Sequence, residues 1–521
     1  MAHPPSNTES LLRWDCVYQA AGLMCYSLPH YLDFNTVLGP PVVANLKDCG
    51  AHRILRRRAA WVIGQWAAVI PSPRLHFYEL LLATAQEGGD IVIRLTAIKA
   101  LFWLVDDLQF EPNSFSSLLP ALMEQIFFFL QHSRCIDVRL SLVSFVILLM
   151  EKMDTVLAQY TATILSIFMK LWTALQASSE ADSTETRLKS YLVIALTSLV
   201  KCLGEQSQNV HELVLPMIMY TTNINSEDGP FLLEAGLELW QATLQYTVSL
   251  SPQLLDCFSS IPSIVTNDTE TLAQALSIVD SYIFVGRGMF LERYVHELNN
   301  MLGTLLSEAK DVAQVLCTNV LDTLLHVFPD KAPAAVQAVL VKVMQYLLNG
   351  REGDLVIANY LCVLLRILLT NRPWFIGFVG DHFSMFLDKW IDLHDCLPTN
   401  YQRKLSCLAL LSLLPVPPED VVVLPRLAPI LHTAVEGVAA ESGDWTVDFG
   451  PHSNEEVPLG CPEAARRQEL SEKDVVLNLS VKQLMQEKLQ ELYTTTGPQV
   501  MQVILTDPVL MSTLNTYFAT Q

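Results

Sequence analysis

Long uninterrupted apolar runs are absent from this chain of 521 residues, although 51% of its residues are hydrophobic and its mean hydropathy is +0.31. The longest apolar stretches lie at 140–150, 191–200 and 355–370, and Asn359 and Arg366 interrupt the last of these. A bilayer crossing needs about 20 consecutive apolar residues. The N-terminus also lacks the basic and apolar regions of a signal peptide. We therefore expect a soluble, intracellular protein without a membrane segment.

Motifs for catalysis and metal binding are absent as well. None of the 11 cysteines pair with CxxC spacing, and none of the 12 histidines form an HxxxH or HExxH pair, although zinc sites and metallohydrolases use such patterns. No GxxxxGK(S/T) or GxGxxG segment offers a cradle for phosphate. Single cysteines scattered among apolar residues are typical of core packing in a reducing compartment. We expect a protein that is not an enzyme and that uses no cofactor and no metal.

Positive charge is scarce, with 33 Lys and Arg against 54 Asp and Glu and a formal net charge of −21. Nucleic acids and anionic membranes repel such a chain, so we expect no direct binding to either. The charge favours basic protein partners, although it would also aid solubility alone. Candidate contacts for a basic partner are Glu455, Glu456, Glu463 and Glu469, in the most acidic part of the chain.

Apolar periodicity of the helical kind is what the sequence has in abundance. Apolar residues recur at steps of three and four from His52 to Ile70, which predicts an amphipathic helix. Similar segments follow, and an arginine near the start of each recurs after 37, 45 and 48 residues, at Arg57, Arg94, Arg139 and Arg187. Paired-helix HEAT repeats recur at roughly 40–47 residues. The pattern predicts an all-α HEAT-repeat α-solenoid, a superhelix of paired antiparallel helices.

Changes in composition divide the sequence into three regions. Residues 1–440 carry the regular helical pattern and are predicted to form the HEAT-repeat solenoid. Residues 441–475 include nine Asp or Glu and no apolar periodicity, which predicts an acidic loop that is disordered or loosely held. Helical periodicity returns in residues 476–521. This last region is predicted to supply closing helices at the end of the array.

A cluster of three consecutive arginines, Arg56, Arg57 and Arg58, lies at the start of the first amphipathic helix. Such a cluster can contact an acidic patch on a partner protein. The alternative is that the three side chains form a solvated face of the helix. We keep all three as candidate protein-binding residues.

Particular segments resemble a known family. The sequence ILRRRAAWVIGQW at 54–66, followed by DIVIRLTAIKALFWLVDD at 90–107, is similar to the middle repeats of importin-beta (karyopherin-beta) nuclear transport receptors. The stretches at 470–492 and 31–38 resemble the importin-eleven branch of that family. The resemblance extends from Leu11 to about Phe518 and matches the middle and C-terminal part of the family's architecture. An N-terminal importin domain has no counterpart, which implies an N-terminally incomplete form.

The resemblance implies a monomeric receptor that shuttles between cytoplasm and nucleus through the pores of the nuclear envelope. The implied partners are the GTPase Ran, basic protein cargo, and nucleoporins with phenylalanine-glycine repeats, whose phenylalanines would enter grooves between outer helices. Ran-GTP would release imported cargo in the nucleus. Two other functions stay open. One is a HEAT-repeat scaffold whose partners are insensitive to nucleotide, and the other is an exportin-type receptor, for which Ran-GTP would strengthen cargo binding.

Overall fold

The structure is a computed structural model, and it describes residues 7–48, 50, 52–72, 74–177, 183–267, 269–308, 311–350, 352–417, 420–442, 457–496 and 507–518. The chain divides into two compact units, residues 1–207 with 227–239 and residues 208–226 with 240–521. Within the described ranges the fold consists of helices without any β-strand, which confirms the predicted all-α class. In the same ranges, no helix is both long and apolar enough to cross a bilayer.

The first ten α-helices lie in the first unit, and their bounds are as follows: α1 Thr8–Leu23, α2 Gly39–Lys47, α3 Arg53–Gln65, α4 Leu75–Gln86, α5 Ile91–Asp106, α6 Pro112–Phe115, α7 Leu119–His132, α8 Ile136–Met153, α9 Thr161–Gln176 and α10 Ser183–Leu203. The next helices up to the middle of the second unit are α11 His211–Thr221, α12 Gly229–Tyr246, α13 Pro252–Cys257, α14 Ile261–Asn267, α15 Leu272–Glu308, α16 Asp311–Val327, α17 Ala332–Ala335, α18 Gln337–Asn349 and α19 Asp354–Thr370. The remaining described helices are α20 Arg372–Val379, α21 Phe383–Leu393, α22 Asn400–Ser412, α23 Leu427–Ser442, α24 Pro462–Glu472, α25 Val475–Asn478, α26 Val481–Thr496 and α27 Pro508–Phe518.

Helix pairs repeat along the first unit. The pairs α2–α3, α4–α5 and α7–α8 each pack together, and α3, α5, α8 and α10 pack one after another in a continuous row. A side-chain cap marks the start of α5. Asp90 accepts a hydrogen bond from the Val92 amide at 2.8 Å and so satisfies a free N–H group at the start of α5. The buried face of each helix then packs against its pair and its neighbour in the row.

The second unit continues the same arrangement. Helices α15, α16, α19 and α22 pack in succession, and α18 packs on α19. Helix α15 is broken at Arg287, which lies between Gly286 and Gly288 and whose φ of 45° is outside the helical region. At its end, α26 packs on α22 and α23, and α27 packs on α23.

The acidic segment differs from the predicted loop. Residues 462–472 form helix α24, because Cys461 and Pro462 start it at the N-cap and first position, and α25 follows at 475–478. Contacts with α15 and α22 stabilise these two helices, and tertiary packing of this kind outweighs weak helical periodicity. Residues 443–456, with Glu455 and Glu456, lie outside the described residues.

Close approach of α3 and α5 depends on a glycine. A Cβ atom at Gly64 would overlap the indole of Trp103 and would lie 3.0 Å from the Cα of Ala100. We expect Gly64→Ala to lower the free energy of unfolding by about 1–3 kcal/mol, because the two helices would have to move apart. Urea unfolding followed by circular dichroism measures this change.

Gly88→Ala is the matched control, because a Cβ atom at Gly88 has no neighbour within 4 Å among the described residues. The control is expected to be neutral or slightly stabilising, since alanine restricts the unfolded chain more than glycine does. Equal losses in both variants would contradict the assignment of Gly64 to helix packing.

Candidate protein-binding surfaces

The three arginines of the predicted cluster point in different directions, because consecutive helical residues are about 100° apart around the axis. Arg56 is 7% exposed. Its Nη2 donates to both carboxylate oxygens of Glu87, at 2.9 and 2.8 Å, and to the Leu46 carbonyl at 3.1 Å. Arg56 therefore ties the end of α2 to the loop before α5 and is not available to a partner.

Arg58 is also used inside the first unit. Its Nε and Nη2 donate to Asp15 at 2.8 and 3.2 Å, and its guanidinium lies over the Trp61 ring at 5.2 Å. Arg57, by contrast, is exposed and forms no ion pair with any described residue. Of the three candidates, the structure leaves Arg57 as the one free to contact another molecule.

The arginine spacing includes Arg57, but the arginine of α3 that contacts the next repeat is Arg56. Arg94 makes the equivalent contacts one repeat later, donating to the Ala85 carbonyl and to Gln125, both at 2.8 Å. Sequence spacing alone does not separate two neighbouring arginines. The position on the helix does separate them, because Arg56 lies on the same face of α3 as the buried residues Ala60 and Ile63.

A groove runs along the exposed side of α5, between that helix and α8, and encloses about 460 Å³. We call it the α5–α8 groove. Its floor and walls include the apolar side chains of Val92, Phe102, Trp103 and Phe145. Arg57 of α3 lines the groove as well, so the one free arginine of the cluster lies beside an apolar surface.

The acidic candidates fall into two kinds. Glu463 is fully buried and pairs with Arg467 at 2.7 Å, so it supports the fold and is not a surface contact. Glu469 is half exposed and pairs with Lys473 at 2.6 Å and with Arg287 at 3.7 Å. The hydrogen bond from Lys473 lowers the pKa of Glu469, so this carboxylate stays charged at the surface.

Residues 461–478, which we call the C-terminal strap, lie across successive repeats of the second unit. Arg466 donates to the Thr247 carbonyl, Arg467 lies over the Phe284 ring at 4.6 Å, and Asp474 reaches three further helices. The contacted residues recur at 35 to 42 positions along the chain: Thr247, Phe284, His326, Arg366 and Tyr401. The strap therefore contacts five consecutive repeats.

Asp474 belongs to a buried network of charged and polar side chains. Arg366 donates to Asp322 at 2.5 and 2.9 Å and to the Tyr401 hydroxyl at 2.9 Å. Tyr401 in turn donates to Asp474, which also caps α25 by accepting from the Val476 amide at 2.9 Å. Burial opposes the charge on Arg366, but Asp322 raises its pKa above the ordinary value. The guanidinium therefore remains charged while fully enclosed.

The neutral members of this network are held neutral by burial. Burial raises the pKa of Tyr401 far above its usual range, so its hydroxyl keeps the proton that it donates to Asp474. Burial, and next the positive charge of Arg366, lower the pKa of His326, which lies 3.9 Å from Asp474. The sequence pattern does not reveal this site, because its members lie up to 152 positions apart. A local cue existed in Asp474, an N-cap residue type directly before an apolar run.

Comparison with known proteins places the chain in a family. A model of the importin-11-like family with TPR repeats matches residues 190–518. The chain belongs to the importin-11-like family. Human importin-11 is 28% identical over 99% of the chain, which spans about half, 54%, of that relative's length. The predicted resemblance is confirmed, and since the members of this family are transport receptors, the chain is not an enzyme.

Solved structures of transport receptors share the fold of this importin-11-like chain. The structure of Lph2, a bidirectional nuclear transport receptor of S. cerevisiae, matches 99% of the chain and 57% of its own length with a TM-score of 0.81 and 18% identity. The exportin Cse1 in its cargo-free, cytoplasmic state matches 94% of the chain and 52% of its own length with a TM-score of 0.60 and 14% identity. These likenesses confirm the predicted HEAT-repeat solenoid fold.

Removing the charge of Asp474 should loosen the C-terminal strap. Asp474→Asn leaves Arg366 with less compensating charge and weakens the contact from Tyr401, at a cost on the order of 2 kcal/mol for a buried polar contact. We expect faster hydrogen exchange in residues 462–478, measured by mass spectrometry, with α16 and α19 less affected.

Glu469→Gln is the control on the same strap. It removes one charge from an exposed pair, and solvent screens such pairs so strongly that they contribute little to stability. Exchange in residues 462–478 should stay close to that of the wild type. An unchanged exchange profile in Asp474→Asn would contradict the proposed anchoring role of Asp474.

His326 should make the stability of the chain depend on pH. Its folded pKa lies below the ordinary value of about 6.5, so the unfolded chain takes up this proton more readily. The contribution of neutral His326 is complete above about pH 6.5 and is lost as the pH falls through the folded pKa. Between about pH 7.5 and about pH 5.5, the wild type should lose more free energy of unfolding than His326→Gln. Urea unfolding at each pH measures these losses. Equal losses in the two proteins would contradict the prediction.

Proposed function

We propose that the chain is the cargo-carrying part of a nuclear transport receptor, which shuttles between cytoplasm and nucleus and imports proteins under the control of Ran-GTP. The observation that carries the proposal is membership of the importin-11-like family over 190–518, together with similarity to human importin-11 across 99% of the chain. Helical-repeat arrays without a catalytic site present long surfaces for other proteins. The net charge of −21 favours basic cargo.

An apolar groove in the second unit supports binding to nucleoporins. It lies between α11 and α13, encloses about 500 Å³, and takes its apolar surface from Leu215, Pro216, Met219 and Cys257. The polar residues His211, Glu212, Gln253 and Asp256 also line it. Met219 is 38% exposed. We propose that this groove receives the phenylalanine of a phenylalanine-glycine repeat, because a single aromatic ring in an apolar pocket is an efficient anchor.

Export is the second candidate. Cse1 is an exportin and Lph2 is a bidirectional receptor, and both share the fold of this chain. The two directions differ in the sign of the coupling between Ran-GTP and cargo: Ran-GTP weakens cargo binding to an import receptor and strengthens it for an exportin.

Affinity capture with quantitative mass spectrometry separates these functions. The chain is immobilised and exposed to cytosol with and without Ran locked in its GTP form. Basic proteins that bind without Ran-GTP and leave when it is added would support import. Proteins gained on addition of Ran-GTP would support export, and a fixed set of partners without nucleoporins would support a scaffold and overturn the proposal.

Met219→Glu should weaken binding to a phenylalanine-glycine repeat peptide about tenfold, because it replaces an exposed apolar contact with a third carboxylate beside Glu212 and Asp256. Fluorescence anisotropy with a labelled peptide measures the change. Met385→Glu is the control, since Met385 is similarly exposed and does not line the groove. Undiminished binding by the Met219 variant would place the nucleoporin site elsewhere.

A further inference from the structure

The exposed side of α5 is unusually apolar for a surface. Its sequence, IVIRLTAIKALFWLVD, offers no polar face, and a helix that is apolar all round is normally enclosed by other elements. Here Val92 is 48% exposed, and Phe102 and Trp103 are half-buried. These residues recur at helical spacing on one side of α5 and form the floor of the α5–α8 groove.

Two free positive charges border this apolar floor. Lys99 lies over the Trp103 ring at 5.3 Å, and like Arg57 it forms no ion pair with any described residue. Asp137 is the one carboxylate among the described residues that line the groove. In a chain with 54 acidic and 33 basic residues, a groove with a positive balance is a local reversal of the overall charge.

The other basic side chains around the groove already have partners within the fold. The neighbouring arginines Arg56 and Arg58 are each committed to a carboxylate, Glu87 and Asp15. Arg94, on the same helix as Lys99, is turned away toward Gln125. Arg57 and Lys99 therefore remain without an ion pair among the described residues. Both lie on the side of α5 where the apolar surface is exposed.

We propose that the α5–α8 groove binds an acidic peptide segment of a partner protein, with one aromatic or large aliphatic residue flanked by aspartate or glutamate. The apolar residue would lie against Phe102 and Trp103, and the flanking carboxylates would pair with Arg57 and Lys99. This specificity goes beyond the proposed transport of basic cargo and does not depend on Ran or on the direction of transport.

The interactions suit such a ligand. Arginine binds a carboxylate through two parallel hydrogen bonds, and a partly enclosed tryptophan is among the strongest anchors in protein interfaces. A volume of about 460 Å³ is within the range of binding pockets for compact ligands, about 300–1,000 Å³. The net charge of the chain acts against an acidic ligand from a distance, so local pairing with Arg57 and Lys99 has to provide the selectivity.

Three fluorescein-labelled peptides of one length test the proposal by fluorescence anisotropy with the full chain. In the first, glutamates flank a tryptophan-leucine pair. In the second, glutamines replace the glutamates, and in the third, lysines replace them. We expect saturable binding of the acidic peptide at least about tenfold tighter than of the other two, which corresponds to one well-formed charge contact.

Variants connect that binding to the groove. Arg57→Glu and Lys99→Glu should each weaken the acidic peptide about tenfold, and Ser141→Trp should block the groove without changing any charge, since Ser141 lies exposed on its α8 wall. Arg134→Glu is the matched control, because Arg134 is exposed, lies outside the groove and changes the net charge equally. Thermal unfolding by circular dichroism verifies that all four variants fold.

Three outcomes would overturn the proposal. Equal binding of the three peptides would mean that the groove does not select acidic ligands. Preferred binding of the lysine peptide would make it a site for basic cargo. An effect of Arg134→Glu as large as that of Arg57→Glu would mean that only the overall charge matters. None of these outcomes bears on Ran-dependent capture, so the transport proposal and this one can fail separately.

Discussion

The enclosure of Arg366 constrains much of the second unit. A guanidinium removed from water is stable only if carboxylates and hydrogen-bond acceptors replace the solvent. Asp322 on α16 provides two hydrogen bonds, Tyr401 on α22 accepts a third, and Asp474 lies 3.8 Å from Nη1. Three packed helices and a distant part of the chain must therefore be in place together. The strap is part of the folded unit for this reason, although its own sequence is polar.

Helical periodicity predicted the class of the fold well, because a repeat array is built from local patterns that a sequence displays directly. The helices at 53–65, 91–106 and 136–153 follow from the helical spacing of their apolar residues. The direction in which each charged side chain points depends on neighbouring repeats. Arg56, Arg57 and Arg58 look alike in the sequence, yet Glu87 and Asp15 determine which two of them are enclosed.

The acidic segment shows the other limit of prediction from sequence. Composition predicted a loop over 441–475, since acidic residues without apolar periodicity do not form a core by themselves. The helices at 462–472 and 475–478 are stabilised by contacts with residues up to 219 positions away in the chain. Tyr401 and Asp474 are 73 positions apart, and no local rule connects them. The two candidate residues in this segment therefore differ in burial: Glu463 lies inside the fold and Glu469 at its surface.

The basic side chains around α3 and α5 form two groups, those that are paired within the fold and those that are not. Most basic side chains near α3 and α5 are used inside the fold, as Arg56, Arg58 and Arg94 show. The exceptions, Arg57 and Lys99, lie where the apolar surface of α5 remains open. Positive charge next to exposed aromatic rings is a specific chemical surface in a chain whose average character is acidic.

The course of the C-terminal strap also affects how this part of the molecule comes apart. In a repeat array, each repeat touches its immediate neighbours alone, so stability is a sum of local terms and unfolding can begin at any point along the row. A strap that contacts five consecutive repeats adds couplings beyond nearest neighbours. Thr247 and Tyr401, four repeats apart, are joined through one short stretch of chain. The repeats between them gain the cooperativity of a single globular domain, while an array without such a strap would fray one repeat at a time.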